Sequence, residues 1–134
     1  MPHLTLSQKA TLSKTFTEAD ILAFAEASGD HNPVHLDEAY AQTTRFGKRI
    51  AHGMLVAGLI SAVLGTQLPG PGTIYLGQEL SFKAPVYIGD TITAEIEVTA
   101  VRDGKPFATL KTNCYNQDGI IVIEGKATVL YPTT

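Results

Sequence analysis

The run Ser28-Gly29-Asp30-His31-Asn32-Pro33-Val34-His35 places a carboxylate and an imidazole five positions apart. Side chains of these two types, converging on one small space, can activate a water or move a proton. The reference pKa of histidine, about 6.5, suits that work near neutral pH. Pro33 lacks an N–H and pushes Asn32 out of the helical region, so Asp30 and His35 are not expected on one helical face. They are expected on either side of a tight, stiffened turn. The plain alternative is an Asx-type turn followed by a surface histidine.

Other chemistry-bearing residues point elsewhere. His31 and His35 have the H-x-x-x-H spacing of a zinc-binding helix. Pro33 interrupts that helix, no glutamate directly follows His31, and no cysteine cluster adds ligands, so no metal is expected. His3 reads as a surface residue, and His52 as a cap or packing residue before Gly53. Cys114 shares its phase with Ala108 and Leu110 and is expected to be buried. Gly65, Gly70 and Gly72 with Pro69 and Pro71 make a loop, and the chain contains no dinucleotide or Walker phosphate motif.

These residues need elements to hold them. Ala10, Leu12 and Phe16 share one alternating phase and predict a short strand. Thr17 with Asp20 three residues on forms a capping-box pattern, and Ile21, Phe24, Ala25 and Ser28 follow at helical spacing. Gly29 is a natural stop, so the Asp30 turn starts where a helix ends. A second short helix is expected over 37–44, with Asp37 and Glu38 suiting its dipole. Residues 53–64 are apolar or glycine on every side except Ser61 and predict a buried helix. Ser61 then either bonds a backbone carbonyl one turn earlier or faces the cavity of Asp30 and His35.

From Thr73 the period changes to two. Ile74, Leu76, Leu80, Phe82 and Ala84 share a phase, and Ile92, Ala94, Ile96, Val98 and Ala100 share another. Ala108, Leu110, Thr112 and Cys114 continue the pattern, as do Ile121, Ile123, Gly125, Ala127 and Val129. Arg102-Asp103-Gly104-Lys105, Asn116-Gln117-Asp118-Gly119 and Gly89-Asp90 supply the turns. An antiparallel meander with one oily face follows, and only the helix over 53–64 is greasy enough to cover it. The expected class is α+β: a curved antiparallel sheet wrapped around a central apolar helix, in a single domain over 1–134. Exposed sheet edges make pairing with a second copy expected.

Composition narrows the function. With 134 residues, 44% apolar and 17% charged, the chain suits one compact domain. A formal net charge of −3 disfavours nucleic acid as the main partner. One cysteine allows no internal disulfide, the N-terminus has no signal-like apolar block, and the 54–64 segment is too short for a bilayer. A cytoplasmic protein without a membrane partner is expected.

The run Gly29-Asp30-His31-Asn32-Pro33-Val34-His35, with Ala51-His52-Gly53-Met54, closely resembles the hydratase motif of the MaoC-like, single hot-dog-fold enoyl-CoA hydratases. The resemblance is greatest to the (R)-specific members that feed polyhydroxyalkanoate synthesis. It extends through Ile74-Tyr75-Leu76-Gly77-Gln78 and Ser81-Phe82-Lys83, and so covers nearly the whole chain. It implies a hot-dog fold, a homodimer and reversible hydration of short- to medium-chain trans-2-enoyl-CoA to (R)-3-hydroxyacyl-CoA. It also implies that Asp30 and His35 are catalytic, with Ser61 and Asn32 supporting them. The Gly53 backbone N–H, at a helix start, suits the charge that develops on the thioester oxygen, and the resemblance supports that role. Glycine there is also expected to leave space for the thioester. Coenzyme A is part of the substrate and no separate cofactor is implied. Lys48, Arg49 and Lys83 are candidates to meet its phosphates. A hot-dog thioesterase, a dehydratase acting on acyl carrier protein and a non-catalytic acyl-CoA sensor are the competing expectations.

Overall fold

The computed structural model describes residues 4–102 and 104–132. His3, and Asp103 within one of the hairpin signals, lie outside the described residues. The chain runs β1 (Lys9–Thr15), α1 (Glu18–Ser28), α2 (Pro33–Leu36), α3 (Glu38–Gln42), α4 (Gly53–Thr66), β2 (Ile74–Phe82), β3 (Thr91–Val101), β4 (Phe107–Tyr115) and β5 (Ile121–Leu130). The five strands form one antiparallel sheet in the order β1-β3-β4-β5-β2.

The alternation seen in the sequence becomes the core. Ile92, Ala94, Ile96 and Val98 of β3 point inward with Ala108, Leu110 and Cys114 of β4 and Ile123, Ala127 and Val129 of β5. They meet Val56, Leu59, Ile60, Val63 and Leu64 of α4, which packs against β1, β2, β3 and β4. Each large aliphatic side chain buried this way contributes roughly 1.5–3 kcal/mol. The sheet therefore curls around α4, as the pattern required. Gly125 permits a close approach inside the sheet, since a Cβ there would lie 2.4 Å from the Glu79 carbonyl oxygen.

Two expectations are corrected. The strands are not a simple meander, because β2 pairs with β5 and not with β3. The Gly89-Asp90 turn closes no hairpin; it docks on the end of β1. Gly89 N–H donates to the Phe16 carbonyl (2.8 Å), and Phe16 N–H donates to that of Asp90 (3.0 Å). The connection over 83–90 thus carries the chain across the sheet to the β1 side.

The second correction concerns α4, which is not buried all round within one chain. Met54, Gly58, Ser61 and Gly65 form an exposed stripe, next to an edge strand whose Ile74 and Leu76 are about half exposed. A bulge between Tyr75 and Gly77 breaks the phase of β2, which is why Ile74 and Leu76 miss the core.

Candidate active site

The turn after α1 is built by short polar side chains. The capping box of Thr17 and Asp20 starts α1, and Gly29, at φ 82°, ends it in the left-handed region. Ser28 Oγ donates to the Phe24 carbonyl (2.7 Å) and accepts from Asp30 N–H (3.0 Å). Asp30 Oδ1 accepts from Asn32 N–H (3.2 Å), so the Asx turn is real. Asn32 Oδ1 then accepts from Val34 N–H (3.2 Å) and caps α2.

As expected, Asn32 is non-helical and Asp30 and His35 share no helical face; Pro33 itself opens a one-turn helix. At the first helical position the missing N–H is no loss and the fixed φ is already correct. His35 rides on the single turn of α2, which swings its ring inward. Asx turn and convergence therefore coexist. Ligating atoms of Asp30, His35 and His52 all lie within 4.8 Å of one another.

The His35 ring is fixed in orientation and protonation. It is only 8% exposed, and Nδ1 lies 2.8 Å from the Ile50 carbonyl oxygen. A carbonyl only accepts, so Nδ1 carries the proton and Nε2 keeps its lone pair. Burial pushes the His35 pKa below its ordinary value, and repulsion from His52 adds to this. The Ile50 hydrogen bond and the Asp30 charge oppose the shift without cancelling it. His35 is thus a neutral base near pH 7, while Asp30 stays exposed to solvent. The two are not directly hydrogen-bonded, and one water can bridge such a gap.

Both residues line a cavity of about 380 Å³ with Ala51, Val86, Val122 and Ile123 among its apolar walls. Gly53 opens α4 at this cavity, and its N–H has no acceptor among the described residues. The space expected beside Gly53 is filled: a Cβ would lie 2.6 Å from the Phe82 ring. The missing side chain admits that ring, which is half exposed and can swing.

Other expected residues fall elsewhere. Ser61 is exposed and lines a second cavity of about 410 Å³ with Gly58, Tyr75 and Gln78. It makes no hydrogen bond among the described residues, so neither expectation for it holds within one chain. Met54 lines both cavities. Arg49 is not available for phosphate, because Nε donates to the His35 carbonyl (2.7 Å) and the guanidinium also pairs with Glu18. Lys48 sits over the Tyr87 ring at 4.5 Å. Lys83 lines the cavity, as does Arg45, a cation that sequence reasoning missed. His31 is exposed, with Nδ1 3.2 Å from the Gly29 carbonyl oxygen of its own turn. Cys114 is buried as expected, and its thiol pKa is pushed up to about 12.

His52 is the larger omission. It makes no side-chain cap on α4, is 2% exposed, and lies ring to ring with His35 at 3.9 Å. In the sequence it was marked only by its place before Gly53 in the Ala51-His52-Gly53-Met54 run. Asp30, His35 and His52 are close enough to invite a metal, but each imidazole has one nitrogen engaged already. Nδ1 of His35 and Nε2 of His52 meet backbone carbonyls, which leaves one nitrogen on each ring.

A buried neutral histidine within 4.8 Å of an exposed carboxylate, beside a free helix N-terminus, offers the groups that a hydration or dehydration needs. The MaoC-like domain model matches residues 4–116, and the chain belongs to that family. It is 56% identical over 129 residues to an (R)-specific enoyl-CoA hydratase of Aeromonas caviae, covering 96% of each chain. It is 59% identical over 125 residues to the enzyme of the same name from Rhodospirillum rubrum, covering 93% of this chain and 86% of that one. Among solved structures, an (R)-hydratase from A. caviae involved in PHA biosynthesis superimposes with a TM-score of 0.94. That match is 56% identical and covers 96% of this chain and 98% of the other. The fold is the α+β hot-dog fold of these hydratases.

Proposed function

We infer that this chain is an (R)-specific enoyl-CoA hydratase, a lyase that adds water reversibly to trans-2-enoyl-CoA to give (R)-3-hydroxyacyl-CoA. The observation that carries this reading is the buried His35 ring, pinned through Nδ1 to the Ile50 carbonyl and within 4.8 Å of the Asp30 carboxylate, a gap that one water can bridge. Asp30 and His35 hold the water between them. Nε2 of His35 takes its proton as the oxygen attacks C3. The electron pair of the C2–C3 bond moves toward the thioester oxygen, where the Gly53 N–H and the start of α4 meet the charge. The pair returns one proton to C2, so the product gains one water in all. Asn32 serves by capping α2 and fixing Asp30 Oδ1, and by neither route touches substrate.

The acyl tail lies between sheet and helix, and coenzyme A leaves past Arg45 and Lys83. No cofactor beyond the substrate's own coenzyme A is invoked. A homodimer is supported by the exposed Met54-Gly58-Ser61 stripe beside the apolar edge of β2. Ser61 can serve a catalytic pair only where the second copy brings it there. No helix among the described residues is long and apolar enough to cross a membrane, and we place the enzyme in the cytoplasm. Supply of 3-hydroxyacyl monomers for polyester synthesis, or a step of fatty-acid oxidation, is the matching context.

Purified protein mixed with crotonyl-CoA tests the reaction. Loss of enoyl-thioester absorbance with formation of 3-hydroxybutyryl-CoA and no free thiol is expected. Release of free thiol would make the protein a thioesterase instead.

A further inference from the structure

His52 remains after the reaction has been assigned. It lines the cavity behind Asp30 and His35, yet the steps above give it nothing to do. Its Nε2 lies 3.0 Å from the Asp30 backbone carbonyl oxygen, so that nitrogen carries the proton. Nδ1 is then a bare acceptor, fully buried and without a hydrogen-bond partner among the described residues. One face of the ring meets His35 at 3.9 Å and 32°, and Phe24 of α1 packs against it at 4.8 Å and 56°.

Packing alone does not account for this. A phenylalanine would fill the same slot between Phe24 and His35 without burying an unpaired acceptor, which is costly. What phenylalanine cannot supply is the hydrogen bond to Asp30. The other hydrogen bonds of Asp30 go to Ser28 and Asn32, inside its own exposed turn. The contact from His52 is the one that ties Asp30 to the core, because His52 is the cap residue of α4 and its carbonyl accepts from Val56 N–H (3.2 Å).

We propose that His52 is the positioning residue of this site: Nε2–H holds the Asp30 backbone while the ring face holds the His35 imidazole. One residue thereby sets the distance between carboxylate and base, and its neighbour Gly53 carries the N–H offered to the thioester. His52 touches no reacting atom. The proposal rests on the hydratase reading and adds a residue to it.

Two substitutions divide the roles. His52→Phe keeps a ring against His35 and loses the donor; His52→Gln keeps a donor and loses the ring face. With crotonyl-CoA, each is expected to lower kcat by about 10- to 100-fold, with KM within about threefold of wild type and His52→Phe at least as thermostable. Wild-type kcat in both variants, or a raised KM with kcat unchanged, would overturn the proposal. Imidazole nitrogen NMR of the wild type needs no variant to fold. It is expected to show His52 protonated at Nε2 and bare at Nδ1, and the opposite tautomer would also overturn it. A wild type inactive on crotonyl-CoA and on longer enoyl-CoAs sinks the hydratase reading and this proposal together. An active wild type with unaffected variants sinks the proposal alone.

Discussion

Arg49 holds His35 from behind: its Nε donates to the His35 backbone carbonyl at 2.7 Å, and the same guanidinium pairs with Glu18 at the start of α1. The side chain is 13% exposed, so the contact is shielded from most of the screening that weakens surface pairs. It joins α1 to the one-turn helix that carries His35.

Arg49→Met should therefore loosen α2 and cost roughly 1.5–3 kcal/mol, the range for a charge-assisted hydrogen bond. Urea unfolding measures that loss. Steady-state kinetics should show kcat falling with little change in KM. A KM that rises alone would return Arg49 to the role of a phosphate contact.

The proposed catalytic pair, Asp30 and His35, makes a different prediction. Asp30→Asn and His35→Ala should each lower turnover by roughly two to four orders of magnitude. Thermal unfolding of Asp30→Asn should stay close to wild type, since the amide oxygen can still accept from Asn32 N–H. A large fall in its midpoint would show that Asp30 is a structural turn residue.

The pH dependence follows from the burial of His35. Its pKa lies below the ordinary value of 6.5, so it keeps its lone pair where an exposed histidine is already protonated. The acid limb of kcat/KM should accordingly lie below pH 6.5. The sign for stability is the same as for a buried neutral base. In the window between the folded value and 6.5 the unfolded chain binds more protons, so stability falls as pH drops through that window. His35→Gln should flatten this slope in unfolding experiments, and an unchanged slope would mean that His35 does not control it.

Much of this was legible in the sequence because the determinants are local. Thr17, Asp20 and Gly29 announce α1 through its caps, and β3 announces itself through Ile92, Ala94, Ile96 and Val98. Asp30 and His35 were found because both lie in one short run. The short helix that carries His35 was not foreseen, because the same ring that keeps Asn32 non-helical starts a helix at its first position. The pairing of β2 with β5, the engagement of Arg49 and the stack of His52 on His35 depend on contacts distant in sequence. No period or motif encodes those. Ser61 was misplaced for a related reason: an apolar helix reads as buried whether its own sheet or a second copy covers it.

Gly125 tests the sheet that supports the site. A Cβ at this position would sit 2.4 Å from the Glu79 carbonyl oxygen and 2.9 Å from both Gln78 Nε2 and Thr112 Oγ1. The first neighbour is backbone and cannot rotate away, so Gly125→Ala must push β2 off β5. A cost of about 1–3 kcal/mol is expected for such overpacking, read as a lower midpoint in thermal or urea unfolding. A wild-type midpoint would mean that the strands have slack.

The exposed stripe on α4 gives the last test. Ser61 stands between Gly58 and Gly65 on a face that one chain leaves uncovered, beside Tyr75 and Leu76 of the edge strand. If a second copy covers this face, a long charged side chain cannot be accommodated without burying an unpaired charge. Ser61→Arg should then convert the protein from dimer to monomer in analytical ultracentrifugation, with the secondary structure of each chain kept. Because α4 carries Gly53, the proposed donor to the thioester, and Met54 lines both cavities, loss of the partner should also reduce hydration of crotonyl-CoA. A variant that stays dimeric and fully active would place the subunit contact elsewhere and leave Ser61 without a role in the site.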